Sequence, residues 1–220
     1  MKEDKRTTRE LGAQLRCPSG PDASAVGDLM FASNAEMISR TIDQMNIQPD
    51  EHILEIGFGS GKHLPYLFSK VKNLHYYGLE ISTAMIKQAE QCNQARIASG
   101  EAQLFHSSVD RIDPKWENTF HRCFAVNSIY FWDDPLQSLQ HIYDLLNANG
   151  EITLTFIEKE FGEALPFTDT GFRFVSPLQV HDWLEKAKFK MIKITDFLDA
   201  ASSKDGKKLN RPYHIAQAFK

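Results

Sequence analysis

Gly57, Gly59 and Gly61 fall at alternate positions directly after the apolar run Ile53-Leu54-Glu55-Ile56. They lead into a segment with helical spacing, Leu64, Leu67, Phe68 and Val71. A short strand that ends in bare backbone and turns at once into a helix is the opening of a βαβ unit. The chain then keeps that alternation. Strands are expected at 52–56, 74–79, 102–106, 122–127 and 152–157, with helices at 62–71, 83–97 and 135–146 between them. The last helix opens on Pro135 and is followed by Asn149-Gly150, the proline-first, glycine-last asymmetry of helices. Such alternation predicts an α/β fold, a mainly parallel sheet with helices on both faces. Beyond residue 157 the pattern changes. Residues 158–174 carry Gly162, Pro166 and Gly171 without a period and read as a long loop. Ser176-Pro177 opens a helix to about Ala187. Strands at 189–198 and 213–219, joined by a charged turn over 202–211, have no helix between them and should pair antiparallel. The expectation is therefore a seven-stranded, mostly parallel sheet with an antiparallel C-terminal hairpin.

Pro49-Asp50 divides an N-terminal helical extension, residues 1–48, from the α/β unit, residues 49–220. Residues 1–16 are charged and expected to fray or lie on the surface, and Cys17-Pro-Ser-Gly-Pro21 is a turn. Ala25 to Met45 has helical spacing, with Asn34 placed to cap its second half over Met37, Ile38 and Ile42.

Composition removes several classes. The net charge is −4, whereas a nucleic-acid binder usually carries a basic excess to replace phosphate counterions, so a nucleic-acid partner is not expected unless a local basic patch supplies it. No run approaches the roughly 20 apolar residues of a membrane span, and the charged N-terminus is not a secretory signal. Cys17, Cys92 and Cys123 are widely spaced, with no Cys-x-x-Cys pair, so neither a zinc site nor a disulfide framework is indicated. A cytoplasmic protein with reduced thiols and no metal is expected.

Three readings of the glycine turn compete. A phosphate-binding loop needs Gly-x-x-x-x-Gly-Lys-Ser/Thr, but Lys62 is followed by His63 and the glycine five places before Gly61 would be Ile56. A dinucleotide turn needs Gly-x-Gly-x-x-Gly/Ala, and its third small residue would fall on Lys62. What stands here is Glu55-x-Gly57-x-Gly59-x-Gly61. That pattern resembles the first motif of the class I S-adenosylmethionine-dependent methyltransferases, in particular small bacterial members of unassigned substrate, and the resemblance covers roughly residues 50–157. It implies a Rossmann-like fold with S-adenosylmethionine as cofactor. It further implies that Gly57, Phe58, Gly59 and Gly61 pack against the amino acid part of the cofactor, and that Glu55 helps hold its ammonium group.

Glu80, 19 positions after Gly61, is expected at the end of the second strand, where an ionised carboxylate can accept from both ribose hydroxyls. The resemblance places Ile81 near the adenine, and Ser82 or Thr83 can cap the next helix. After the third strand the family's acidic position is occupied by Ser108, with Val109 expected on the adenine ring and Asp110 as a substitute acid if the loop shifts. Asn127 closes the fourth strand on the same rim. Tyr130, Phe131 and Trp132 follow it and are candidates for an apolar acceptor pocket, against core packing for two of the three. The Asn/Asp-Pro-Pro-Tyr/Phe signature of base-methylating enzymes is absent, because Ser128-Ile129 replaces the prolines. A small-molecule acceptor is expected, with a catalytically silent cofactor-binding partner protein, or a protein or RNA methyltransferase, as alternatives. His63, His106, His141, His181 and Tyr130 are the available bases, and none is singled out. Leu29 to Met37 and Phe161 to Phe174, rich in aromatics without core periodicity, are expected to close over the acceptor.

Overall fold

The computed structural model describes residues 5–112, 114–167, 171–202 and 208–220. Its elements in chain order are α1 (Lys5–Arg16), α2 (Ala23–Gln44), β1 (His52–Ile56), α3 (Leu64–Phe68), β2 (His75–Glu80), α4 (Thr83–Cys92), α5 (Gln94–Ala98), β3 (Ala102–His106), β4 (Phe120–Val126), α6 (Pro135–Leu145), β5 (Leu146–Ile157), α7 (Lys159–Glu163), α8 (Pro177–Lys186), β6 (Lys190–Ser202) and β7 (Lys208–Phe219). The strands form one sheet in the order β3-β2-β1-β4-β5-β7-β6. β1 to β5 are mutually parallel where they pair, and β7 is antiparallel to both β5 and β6. Strand order reverses between β1 and β4. In an open α/β sheet that point, beyond the carboxyl ends of the strands, is where a ligand binds.

Side chains alternate between the faces. Ile53 joins a cluster with Ile42 from α2 and Met45 just past its end, Leu64 and Leu67 from α3, and Ile86 and Ala89 from α4. Leu54 joins the opposite cluster, which holds Leu139 and Ile142 from α6 and Val180 and Leu184 from α8. Helices therefore cover both faces, as the βα alternation requires.

The two C-terminal strands pair as expected, but β7 lies between β5 and β6, so the hairpin extends the sheet with its second strand innermost. Residues 203–207 of the expected charged turn and 168–170 of the expected loop lie outside the described residues. Three local expectations need correction, and the N-terminal extension gains a defined element. Residues 5–16 form a helix, whose end is closed by reciprocal bonds between the Gln14 carboxamide and the Ser19 backbone, both 3.0 Å. With only Leu11 and Leu15 one turn apart, no apolar period announced it. α2 runs unbroken past Asn34, which is an interior helical residue and not a cap. The expected helix over 83–97 breaks at Asn93, whose buried Nδ2 donates to the carbonyls of Ala89 (2.9 Å) and Gly61 (3.1 Å). An asparagine that binds backbone in this way competes with helix continuation. The loop after β5 contains the short α7.

α2 serves two ends of the molecule. Met37 and Ile42 are fully buried, and Thr41 shares a 2.6 Å hydrogen bond with Thr155 of β5. Toward its start, Asp28 binds Lys62 (2.7 Å) and Gln88 (2.5 Å), so this end is fastened to the glycine turn and to α4.

Candidate functional site

β1 delivers the chain to the switch point, and each glycine there answers a different demand. All three have positive φ: +81° at Gly57, +58° at Gly59 and +64° at Gly61, where other residues are strained. At Gly57 a Cβ would lie 2.9 Å from the Ser128 Cβ. Ser128 is held close by its hydroxyl, which donates to the Ile56 carbonyl at 2.9 Å. At Gly61 a Cβ would lie 2.7 Å from the Ala89 Cβ, so this glycine lets α4 pack against the turn. At Gly59 nothing stands within 4 Å. Two of the glycines are bare for packing, and the third opens onto free space at the rim. The Phe58 ring points inward, into the core cluster beneath the turn.

Two buried acids flank this opening. Glu80 accepts from the N–H of Gly59 (2.9 Å) through Oε2, and from the N–H groups of Ile81 and Ser82 (both 2.8 Å) through Oε1. Burial pushes its carboxyl above the ordinary range, with Glu55 adding to that, while the three N–H donors pull the other way. The Glu55 carboxylate, 3% exposed, receives the Tyr76 hydroxyl (2.6 Å) and the His63 Nε2 (2.7 Å) on one oxygen. Gly78, which pairs with Glu55 across the strands, is bare because a Cβ would sit 2.5 Å from the Phe58 ring and 2.8 Å from the Tyr76 hydroxyl.

This donor set disfavours a phosphate at the turn. A phosphate cradle needs free backbone N–H groups. Here the Gly59 N–H is taken by Glu80, and a second carboxylate lies behind the turn. Two acceptor-only groups beside a bare backbone suit a ligand that brings an ammonium and hydroxyl groups. Next to Glu80, Ile81 is 38% exposed, an apolar side chain turned out at the rim, with His106 bonded to its carbonyl at 2.9 Å.

The remaining expected residues divide. Ser108 is half-buried at the start of a 3-10 turn over Val109–Arg111, whereas Val109 is packed in the core. Asp110 accepts from the Ser138 hydroxyl of α6 at 2.9 Å and is turned away from the acid position it was considered for. Asn127 takes φ +54° just past β4. Its Oδ1 accepts from the Tyr130 hydroxyl (2.9 Å) and its Nδ2 donates to the Asn34 Oδ1 (3.2 Å). Tyr130 and Trp132 are buried, and Phe131 is half-buried. Phe131 meets Phe172 edge-on at 4.7 Å, and Phe172 contacts Phe167 (5.6 Å) and Phe174 (5.5 Å). This aromatic contact fastens the segment after α7 to the turn after β4. Of the candidate bases, His63 is held by Glu55, His181 faces Glu185, and the Tyr130 hydroxyl is bonded to Asn127 and the Ile157 N–H. Burial also pushes the Tyr130 phenol far above its ordinary value.

Two contributors, Tyr76 and Arg211, left little sign in the sequence. Tyr76 reads only as a strand residue. Arg211 of β7 donates to Asp199, to Ser33 and to Asn34, tying α2 to the C-terminal strands above the rim. At the other side of the rim, Ser82 caps α4 as expected, its hydroxyl accepting from the Met85 N–H, and it also donates to the Pro18 carbonyl at 2.5 Å, which anchors the turn after α1.

Among the described residues no helix is long and apolar enough to cross a membrane, and no cluster of potential metal ligands is present. A family model described as a methyltransferase domain matches residues 54–154, from β1 to β5. The uncharacterised methyltransferase YdaC of Bacillus subtilis is 28% identical over 134 residues, which span 61% of this chain and 71% of that one. In fold, the chain is similar to a methyltransferase solved with the Haloferax volcanii Trm112 methyltransferase activator (TM-score 0.71, 13% identity, 94% of this chain and 97% of that one). It is also similar to a Haemonchus contortus phosphoethanolamine N-methyltransferase solved with S-adenosylhomocysteine (TM-score 0.67, 15% identity, 84% of this chain and 52% of that one). With the strand, the glycine turn and the acid after β2 all in place, residues 54–154 match the methyltransferase-domain family, and the chain is similar to the class I S-adenosylmethionine-dependent methyltransferases.

Proposed function

We propose that the chain methylates a small-molecule acceptor that enters over the carboxyl ends of β4 and β5. The observation that carries this reading is the aromatic contact of Phe131, Phe167 and Phe172, which walls that side of the rim with apolar side chains. The net charge of −4 argues against a nucleic acid there. Glu55 would face the cofactor's ammonium group, Glu80 its ribose hydroxyls, Ile81 and Ser108 its adenine, and the Gly59 backbone its amino acid end. Bound in this way, S-adenosylmethionine supplies a methyl carbon already activated by the adjacent sulfonium charge. The protein's task is then alignment: the glycine turn and the two acids fix the donor, and the β4 rim orients the acceptor for in-line attack. With Tyr130 kept neutral and His63 engaged, neither serves as a general base. An acceptor that is nucleophilic without losing a proton first fits this arrangement. Within the N-terminal region, the part before Met37 would cover the site, since the rest of α2 belongs to the core.

Glu80 must be ionised to serve only as an acceptor. Its carboxyl is raised from the usual 4.5 by burial, so cofactor affinity should weaken as pH falls, beginning above the ordinary carboxylate range. Titration of S-adenosylhomocysteine binding between pH 8 and 4.5 checks this, and Glu80→Gln should abolish the pH response.

The functional test is a screen of amine, thiol, phenol and carboxylate acceptors read by S-adenosylhomocysteine release. Turnover with one class supports the proposal. A neighbour in fold solved with an activator protein favours a second reading, in which the chain binds the cofactor and works only with a partner. Cofactor binding without turnover on any small acceptor would support that reading instead.

A further inference from the structure

The Glu55 carboxylate is unusual in how its two oxygens are used. Oε2 accepts from both the Tyr76 hydroxyl (2.6 Å) and the His63 Nε2 (2.7 Å), while Oε1 takes no hydrogen bond among the described residues. The three groups come from β1, from the residue before α3 and from β2, and all are buried, Tyr76 completely. Burying three polar side chains is costly unless each is bonded, and apolar packing would fill the same space without that cost. Neighbours also make room for the arrangement: Gly78 is bare where a Cβ would meet the Tyr76 hydroxyl at 2.8 Å. Two donors converging on one oxygen fix the plane of the carboxylate. They leave the lone pairs of the other oxygen for a further donor. A carboxylate held in its binding orientation does not lose that freedom when ligand arrives. Burial beside Glu55 holds the Tyr76 phenol in its protonated, donating form.

We propose that His63 and Tyr76 are positioning residues for the amino acid end of the cofactor, holding Glu55 so that Oε1 meets the ammonium group. This rests on the reading of Glu55 given above. The test compares two ligands by calorimetry. S-adenosylhomocysteine carries the amino acid end, and 5′-methylthioadenosine lacks it. Tyr76→Phe and His63→Leu should each weaken S-adenosylhomocysteine about tenfold, the usual worth of one hydrogen bond to a charged group. Both should leave methylthioadenosine within about twofold of wild type, because the nucleoside contacts are untouched. His63→Gln, which keeps an N–H donor, should recover most of the loss. A role in folding alone would weaken both ligands equally, and that result overturns the proposal. The Glu55→Gln variant separates the two levels. If it discriminates between the ligands while the His63 and Tyr76 variants do not, the positioning role is wrong and the Glu55 reading survives. If Glu55→Gln does not discriminate, the Glu55 reading fails and takes the proposal with it. Should Tyr76→Phe not fold, the two His63 variants decide the matter.

Discussion

Gly59→Val is expected to weaken S-adenosylmethionine binding by at least about 100-fold, equivalent to ~2.7 kcal/mol, while the protein stays folded. No atom lies within 4 Å of the position a Cβ would take, so the new side chain meets no protein and enters the space left for the ligand. Its φ of +58° adds strain for a β-branched residue, on the order of 1–2 kcal/mol. Gly61→Ala should behave in the opposite way. Its Cβ would collide with Ala89 at 2.7 Å, so melting temperature falls first and binding follows only from the loss of structure. Calorimetry together with thermal melts on both variants separates a glycine kept for the ligand from one kept for packing. Equal behaviour of the two would show that the turn is bare for packing alone.

Arg211→Ala is expected to be the most destabilising single change at the rim. The guanidinium donates to both Asp199 oxygens (3.1 and 2.7 Å), to the Ser33 carbonyl (2.6 Å) and hydroxyl (3.3 Å), and to the Asn34 Oδ1 (3.2 Å). Asp199 is only 4% exposed. Truncation leaves it a buried charge without its partner, typically ~3–5 kcal/mol, or a fall in melting temperature on the order of 10 °C for a chain of this size. It also releases α2 from the C-terminal strands and Asn34 from one of its two partners. Arg211→Met combined with Asp199→Leu removes both charges and should recover much of the loss. Thermal melts of the single and double variants check this. A double variant no more stable than Arg211→Ala would mean that the tie to α2, and not the stranded charge, carries the cost.

The fold was legible where a local signal coincided with a tertiary one. β1 and β3 lie where alternation and turn residues place them, because a buried parallel strand must be apolar and must end at a break. The order of β6 and β7 was not legible, since either strand of an antiparallel pair can lie against β5 and the choice rests on packing between distant residues. The break at Asn93 depends on a carbonyl of the glycine turn 32 positions earlier. α2 looked interrupted at Asn34 because asparagine usually marks a helix end. Its side chain is instead used across space by Asn127 and Arg211. At the candidate site, the glycines and the two acids could be singled out because they are local in sequence. Tyr76, bonded to Glu55, Ser128, packed against Gly57, and Arg211, which ties α2 to the C-terminal strands, belong to other elements and carry no pattern of their own. The aromatic run after β4 shows the same limit: the order Tyr130, Phe131, Trp132 does not tell which ring the core takes, and the structure buries the first and third.

The account stands on a turn shaped for a ligand bearing an ammonium and hydroxyl groups. Calorimetric titration of the intact protein with S-adenosylmethionine and, separately, with NAD tests that most directly. Saturable one-to-one binding of S-adenosylmethionine, with Kd below about 1 mM, and no heat from NAD is the predicted result. A folded protein that takes up NAD, or that shows no binding of S-adenosylmethionine in the same range, would contradict it.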